Sequence, residues 1–196
     1  MAETKVGRAF VVAVPVIIVV VLSLFAASFL ISTLLVLPYS LGLPAAVRFV
    51  GGAIVVAGLA LIAWVFKHRN PVTVMVSTYI TFTKMFRRIP VTEKAGRDEP
   101  LIVSGPQKYV RNPLYFGVIV MVLGWALLTA YSFIFVATVA ILLWFGLALI
   151  PFEERELRAL FGEEWKSYAE GTPMLIPFTK RRRHTNLQPT SPQPGS

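Results

Sequence analysis

The chain has 196 residues, 56% of them apolar and only 15% charged, with a formal net charge of +9 and no cysteine. Soluble domains run at about 45–50% apolar and about 25% charged, so the composition excludes an ordinary soluble domain, and it is too apolar for a disordered chain. The lack of cysteine excludes disulfides, thiolate metal sites and cysteine nucleophiles, and two histidines, His68 and His184, are too few for a histidine metal cluster.

Charged residues leave long gaps: none lies between Arg8 and Arg48, between Arg48 and Lys67, or between Arg111 and Glu153. A helix crosses a bilayer with about 20 apolar residues. The first gap predicts a span over about 10–37, closed by the turn signal Pro38-Tyr39-Ser40-Leu41-Gly42-Leu43-Pro44. That run is longer than the ~7–15 apolar residues of a cleaved signal, so it reads as a retained span. The second span covers about 45–66 and ends at Lys67-His68-Arg69. Gly52, Ala53, Ala57, Gly58 and Ala60 give it a smooth face suited to close helix packing.

Residues 71–86 are amphipathic. Met75, Tyr79, Phe82 and Phe86 recur at i, i+4, i+7 and i+11, while Thr73, Ser77, Thr81 and Lys84 share another face. This predicts a re-entrant or interfacial helix. An irregular connection with Pro90 and Pro100 follows, including a strand-like patch at Leu101-Ile102-Val103. The last charge gap holds two spans, about 114–130 and 132–150, bent near Tyr131-Ser132 into a tight hairpin. Pro151 either closes the fourth span or opens the next helix at its first position. Beyond it, Leu157, Leu160, Phe161, Trp165 and Tyr168 line one side of a C-terminal amphipathic helix. Residues 179–196 read as a basic, then disordered, tail.

The fold expected is therefore all-α: a polytopic membrane helical bundle of four spans with two additional amphipathic helices. Four spans place both termini on one side. Eighteen of the nineteen basic residues then fall on that side, Arg48 being the exception. This is the positive-inside pattern. It accounts for the basic charge without nucleic acid and makes residues 1–8, the long central loop and the C-terminus cytoplasmic.

With no ionisable residue inside the spans, an ion pump or proton relay is excluded. Polar chemistry must sit at the cytoplasmic helix ends. Two segments there are dense in functional residue types, Gly105 to Gly117 before the third span and Glu153 to Tyr168 after the fourth. The hairpin brings them together. Each also admits a plain structural reading: Asn112-Pro113 as a helix start, Glu153 and Glu154 as first-turn acids, and Glu154 with Arg158 as an i,i+4 pair.

The stretch Gly105-Pro106-Gln107-Lys108-Tyr109-Val110-Arg111-Asn112-Pro113-Leu114-Tyr115-Phe116-Gly117 resembles the signature of the isoprenylcysteine carboxyl methyltransferases. So does the second pattern, Glu153-Glu154 followed by Phe161-Gly162-Glu163-Glu164-Trp165-Lys166-Ser167-Tyr168 and a proline-containing end. Asn112 to Gly117, with Gly124-Trp125, equally resembles the phospholipid methyltransferases. The resemblance implies a methyltransferase domain over 9–178 that uses S-adenosyl-L-methionine at the cytoplasmic end of the last hairpin. It implies Tyr109, Arg111, Asn112, Tyr115, Gly117, Glu153 and Glu154 as cofactor-binding, with Arg111 and Glu154 closest to the chemistry. Tyr79, Phe116 and Trp125 are candidates to line the pocket of a lipid or other lipophilic substrate. No metal is implied. Asn112 stands where many relatives carry histidine, which removes any imidazole from that position.

Two other readings stand beside this one. Sterol-type reductases share a similar Tyr-Val-Arg stretch but use a nicotinamide cofactor, and their second motif contains a cysteine that this chain lacks. A non-enzymatic scaffold would use Lys180-Arg181-Arg182-Arg183 to hold anionic lipid.

Overall fold

A computed structural model describes residues 2–72, 74, 77, 78, 81, 83, 84, 101–177 and 179. Helix α1 is Ala2–Leu34, α2 is Ala45–His68, and a single 3-10 turn spans Gly105–Lys108. Helix α3 is Pro113–Thr129, α4 is Ser132–Trp144, and a π-turn, Phe145–Leu149, runs straight into α5, Ile150–Gly171. The described residues between 71 and 84 are helical as well. Among the described residues there is no β-strand. Leu101 to Val103 make no β pairing with any described residue, and Ser40 and Tyr131 form an isolated bridge. Met75, Tyr79, Phe82, Phe86, the 85–100 connection and the tail after Thr179 lie outside the described residues.

Among the described residues three helical stretches are long and apolar enough to cross a membrane: Val14–Leu34, Ala45–His68 and Ser132–Gly171, the last kinked at Gly162, where φ is 51°. Helix α3 is shorter, at 17 residues, or about 25 Å at 1.5 Å per residue. Helix α1 ends three residues before the expected boundary, where Val36 turns the chain with φ 54°. Most of its apolar side chains are exposed, as suits a helix solvated by lipid.

Helices α2 and α3 run antiparallel in close contact, and glycine makes this possible. A Cβ on Gly51 would fall 2.5 Å from the Leu128 nitrogen, one on Gly58 2.6 Å from the Met121 nitrogen, and one on Gly124 2.5 Å from the Val55 nitrogen. Backbone meets backbone along this seam, as small-residue faces permit. Between the helices α1 and α4, Phe29 meets Phe133 edge-on at 5.8 Å.

At one end the α1–α2 loop clamps the α3–α4 bend. The Leu41 N–H donates to Ala130 O at 2.9 Å, the Ser132 N–H donates to Tyr39 O at 3.2 Å, and the Ser132 hydroxyl donates to Pro38 O. Arg48 lies at this end, where its Nε donates to Leu128 O at 2.9 Å. The exceptional basic side chain thus satisfies a carbonyl in the last turn of α3, a position favourable for a cation. The opposite end carries the polar segments.

Candidate functional site

The segment 105–117 is anchored before it enters α3. Gly105 adopts φ +61°, and a Cβ there would sit 2.8 Å from the His68 ring. Only glycine tolerates both conditions. Asn112 occupies the N-cap position of α3, yet its side chain makes no capping bond. Its Nδ2 donates instead to Glu154 Oε1 at 3.3 Å and to Met174 O at 3.0 Å. The chain after α5 folds back to meet it: the Arg111 N–H donates to Pro173 O at 2.9 Å and the Asn112 N–H to Met174 O at 3.2 Å.

Arg111 joins the two motifs. Its Nε donates to Glu154 Oε1 at 2.9 Å, Nη2 to Glu154 Oε2 at 3.1 Å, and Nη1 to Ala169 O at 2.7 Å. The guanidinium lies 5.7 Å from the Trp165 ring centre. A planar fork engaging a carboxylate with both prongs is geometry that lysine cannot reproduce. Glu154 is therefore not paired with Arg158. Nor are Glu153 and Glu154 at a free helix start, because α5 continues the helix from α4.

One turn along α3, the Tyr115 hydroxyl donates to Glu153 Oε2 at 2.8 Å. The Tyr168 hydroxyl donates to Gln107 O at 2.7 Å, tying α5 back to the 3-10 turn.

These links enclose a cavity of about 90 Å³. Arg111, Asn112, Tyr115, Glu153, Gln107 and Tyr168 give it a polar side; Val65, Leu114, Leu157, Phe161 and Trp165 give it an apolar one. Val74, Ser77 and Thr78 close it from the 71–84 segment. On the outer side of the Arg111–Glu154 pair lies an open cleft with Arg155, Arg158, Glu163 and Lys166.

Of the residues expected at a site, Arg111, Asn112, Tyr115, Glu153 and Glu154 are brought together. Gly117 instead faces α2, where a Cβ would meet Ile62 Cγ1 at 2.9 Å. Tyr109 is half-exposed, its ring 6.0 Å from that of Trp64. Phe116 packs against the apolar core, and the Trp125 ring lies 6.2 Å from that of Phe25. These four do not line the cavity, and Tyr79 lies outside the described residues.

Sequence reasoning missed three features. Gln107 is buried in the cavity wall, and its Oε1 has no hydrogen-bond partner among the described residues. Lys84 Nζ donates to Glu156 Oε1 at 2.6 Å, with the two side chains 12% and 1% exposed. Thr81 is buried while Ser77 and Thr78 line the cavity, so polar residues of the 71–84 segment turn toward the site. A polar stripe beside a membrane was the available signal.

The sequence profile of the phospholipid methyltransferase family matches residues 47–164, more than half of the chain. A methanethiol S-methyltransferase 1 of Bradyrhizobium diazoefficiens is 40% identical over 73 residues, covering 37% of this chain and 25% of the relative. A methanethiol S-methyltransferase of Crocosphaera subtropica is 29% identical over 136 residues, covering 67% and 49%. The protein-S-isoprenylcysteine O-methyltransferase of Schizosaccharomyces pombe is 32% identical over 89 residues, covering 45% and 37%. The chain thus spans between a quarter and about half of the length of these curated relatives. No solved structure matches it. With the profile running from α2 through the first polar motif and into the second, as far as Glu164, the chain belongs to the phospholipid methyltransferase family of membrane proteins.

Proposed function

We propose that the chain is an S-adenosyl-L-methionine-dependent methyltransferase acting on a lipophilic acceptor, an isoprenylcysteine-like carboxylate or another lipid, at the cytoplasmic membrane face. The observation that carries this reading is the joining of both motifs around one cavity, by the Arg111–Glu154 fork and the Tyr115–Glu153 bond. In the proposed topology α3 crosses the bilayer alongside α2, giving four spans with both termini cytoplasmic.

The residues fit the cofactor. Glu153 and Glu154 suit its ribose hydroxyls and cationic groups, since carboxylates hold ribose in dinucleotide sites. Arg111 suits its carboxylate. Gln107 Oε1 is a buried acceptor without a partner among the described residues, a condition that costs about 1–3 kcal/mol and that an amino group of the cofactor relieves. Asn112 and Tyr115 fix Glu154 and Glu153 by donating to them. Tyr109 and Gly117 serve from behind, through the packing of the motif on α2. When bound, the cofactor supplies a methyl group activated by its sulfonium.

The protein's task is then alignment, which can supply much of the barrier reduction in a displacement. Val65, Leu114, Leu157 and Phe161 exclude water from the acceptor side. An acceptor that enters as an anion requires no protein base, and Asn112 cannot titrate to supply one. Ligand pockets usually measure about 300–1,000 Å³; the cavity alone is smaller, and the open cleft on the outer side of the Arg111–Glu154 pair adds room.

A small apolar thiol is the second acceptor class. The names of the two methanethiol relatives and the modest cavity favour it. Labelled-methyl transfer from S-adenosyl-L-methionine into host membrane extract, run beside methanethiol, separates the two. Label in a lipid product supports the first acceptor and label in dimethyl sulfide the second. Label in neither, with folded protein, contradicts a methyltransferase.

A further inference from the structure

The helical stretch that starts at Ser132 contains a proline, Pro151, and does not break there; it kinks only later, at Gly162. In a regular α-helix Pro151 would lack a proton for Leu147 O, and its ring would collide with that carbonyl. The chain answers one turn earlier. The Ile150 N–H donates to Phe145 O, five residues back, and Phe145–Leu149 form a widened π-turn.

That turn takes up one extra residue, and an α-helix advances about 100° per residue. In an unbroken α-helix Phe152 would lie about 20° around from Ile141 and Glu153 about 120°. The stripe begun by Ile134, Ala137, Thr138 and Ile141 would then continue through Phe152, Arg155 and Ala159. It does not. Leu149, Ile150 and Glu156 are buried, Phe152, Glu153 and Leu157 are half-buried, and Arg155 and Ala159 are exposed.

Tyr115 reports the same shift independently. Its ring lies 4.8 Å from that of Phe145 at the start of the π-turn, and its hydroxyl holds Glu153 after it. These two residues, eight apart, would diverge by about 80° in an α-helix; the extra residue brings them within about 20° of one line. π-turns of this kind occur often at functional sites.

We propose that the π-turn, held open by Pro151, is a register device that turns Glu153, Glu154 and Glu156 toward α3 and the 71–84 segment. Pro151 is thus a positioning residue for the site. The inference rests on the proposed function only for its cofactor readout; the register itself is read separately.

The test exploits phase. A Cβ on Gly146 would meet nothing within 4 Å, so deleting it removes a residue but no side chain. Combined with Pro151→Ala, the deletion lets the helix become regular with the same residues facing the site. Inserting one alanine after Gly146 rotates the acids away. Adding the deletion of Leu147 to that insertion restores the count.

By calorimetry, the deletion variant binds S-adenosyl-L-methionine within about threefold of the parent, and the insertion variant at least about 30-fold more weakly. The chain has no cysteine, so Tyr115→Cys with Glu153→Cys gives a background-free bismaleimide cross-link in native membranes. It forms in the parent, deletion and count-restored chains and is lost on insertion. An insertion variant that cross-links like the parent overturns the proposal. So does a deletion or count-restored chain that does not. A parent that cross-links yet binds no cofactor defeats the proposed function and leaves the register intact.

Discussion

Replacing Arg111 with alanine removes both prongs on Glu154, the bond to Ala169 O at 2.7 Å and the ring contact with Trp165. The Glu154 carboxylate is left with the Asn112 amide at 3.3 Å. Exposed ion pairs contribute about 0–1 kcal/mol, whereas removing one partner of a buried pair costs about 3–5 kcal/mol. The Arg111 and Glu154 side chains are 9% and 19% exposed, which places the cost near the lower buried figure, about 3 kcal/mol. For a protein of this size each kcal/mol moves Tm by about 2–4 °C. A fall of about 6–12 °C is expected in detergent, followed by tryptophan fluorescence because Trp165 lies beside the lost guanidinium. Glu154→Gln relieves the stranded charge, so the double variant should be about 1–3 kcal/mol more stable than the sum of the single effects. A fall below about 2 °C, or strict additivity, would refute the reasoning that this pair joins the motifs.

The other predictions address separate parts of the structure. Gln107→Leu removes a buried acceptor that has no partner among the described residues; Tm should hold or rise while cofactor affinity falls about 5- to 10-fold, an opposition of sign that melting and calorimetry together detect. Lys84→Met strands the buried Glu156 carboxylate and should cost about 3–5 kcal/mol by thermal melting, with Glu156→Gln recovering part of it. Gly58→Ala drives a methyl into the Met121 backbone and should cost about 1–3 kcal/mol in the same assay, whereas alanine at Gly171, where nothing lies within 4 Å, should be near neutral.

Much of the fold is legible in the charge gaps, because lipid tolerates apolar helices and little else. The second span is read within two residues of α2, and the bend at Tyr131-Ser132 is found where Ala130 takes φ 59°. The limits are physical. Val36 ends α1 with a left-handed residue that β-branching disfavours, so no glycine signal marked the boundary. Pro151 reads as the close of the fourth span or the first position of the next helix; it lies in the first turn of α5, and the π-turn before it is the rarer way to carry a helix across a proline. At the site, the hairpin argument brings two polar segments together but cannot say that Arg111 takes Glu154 with both prongs, nor that Glu153 goes to Tyr115. Such partners depend on helix phase, which one inserted residue rotates by about 100°. Gln107 sits at a position where the resemblance specified no residue, and only its burial exposes its role.

The central claim is that the two motifs build a single S-adenosyl-L-methionine site. Calorimetric titration of the cofactor into the folded, detergent-solubilised chain tests it most directly, with Arg111→Ala and Glu153→Gln run in parallel. The account predicts saturable one-site binding to the parent and a marked loss in both variants, one from each motif. A folded parent that binds nothing, or binding that neither substitution alters, would contradict it.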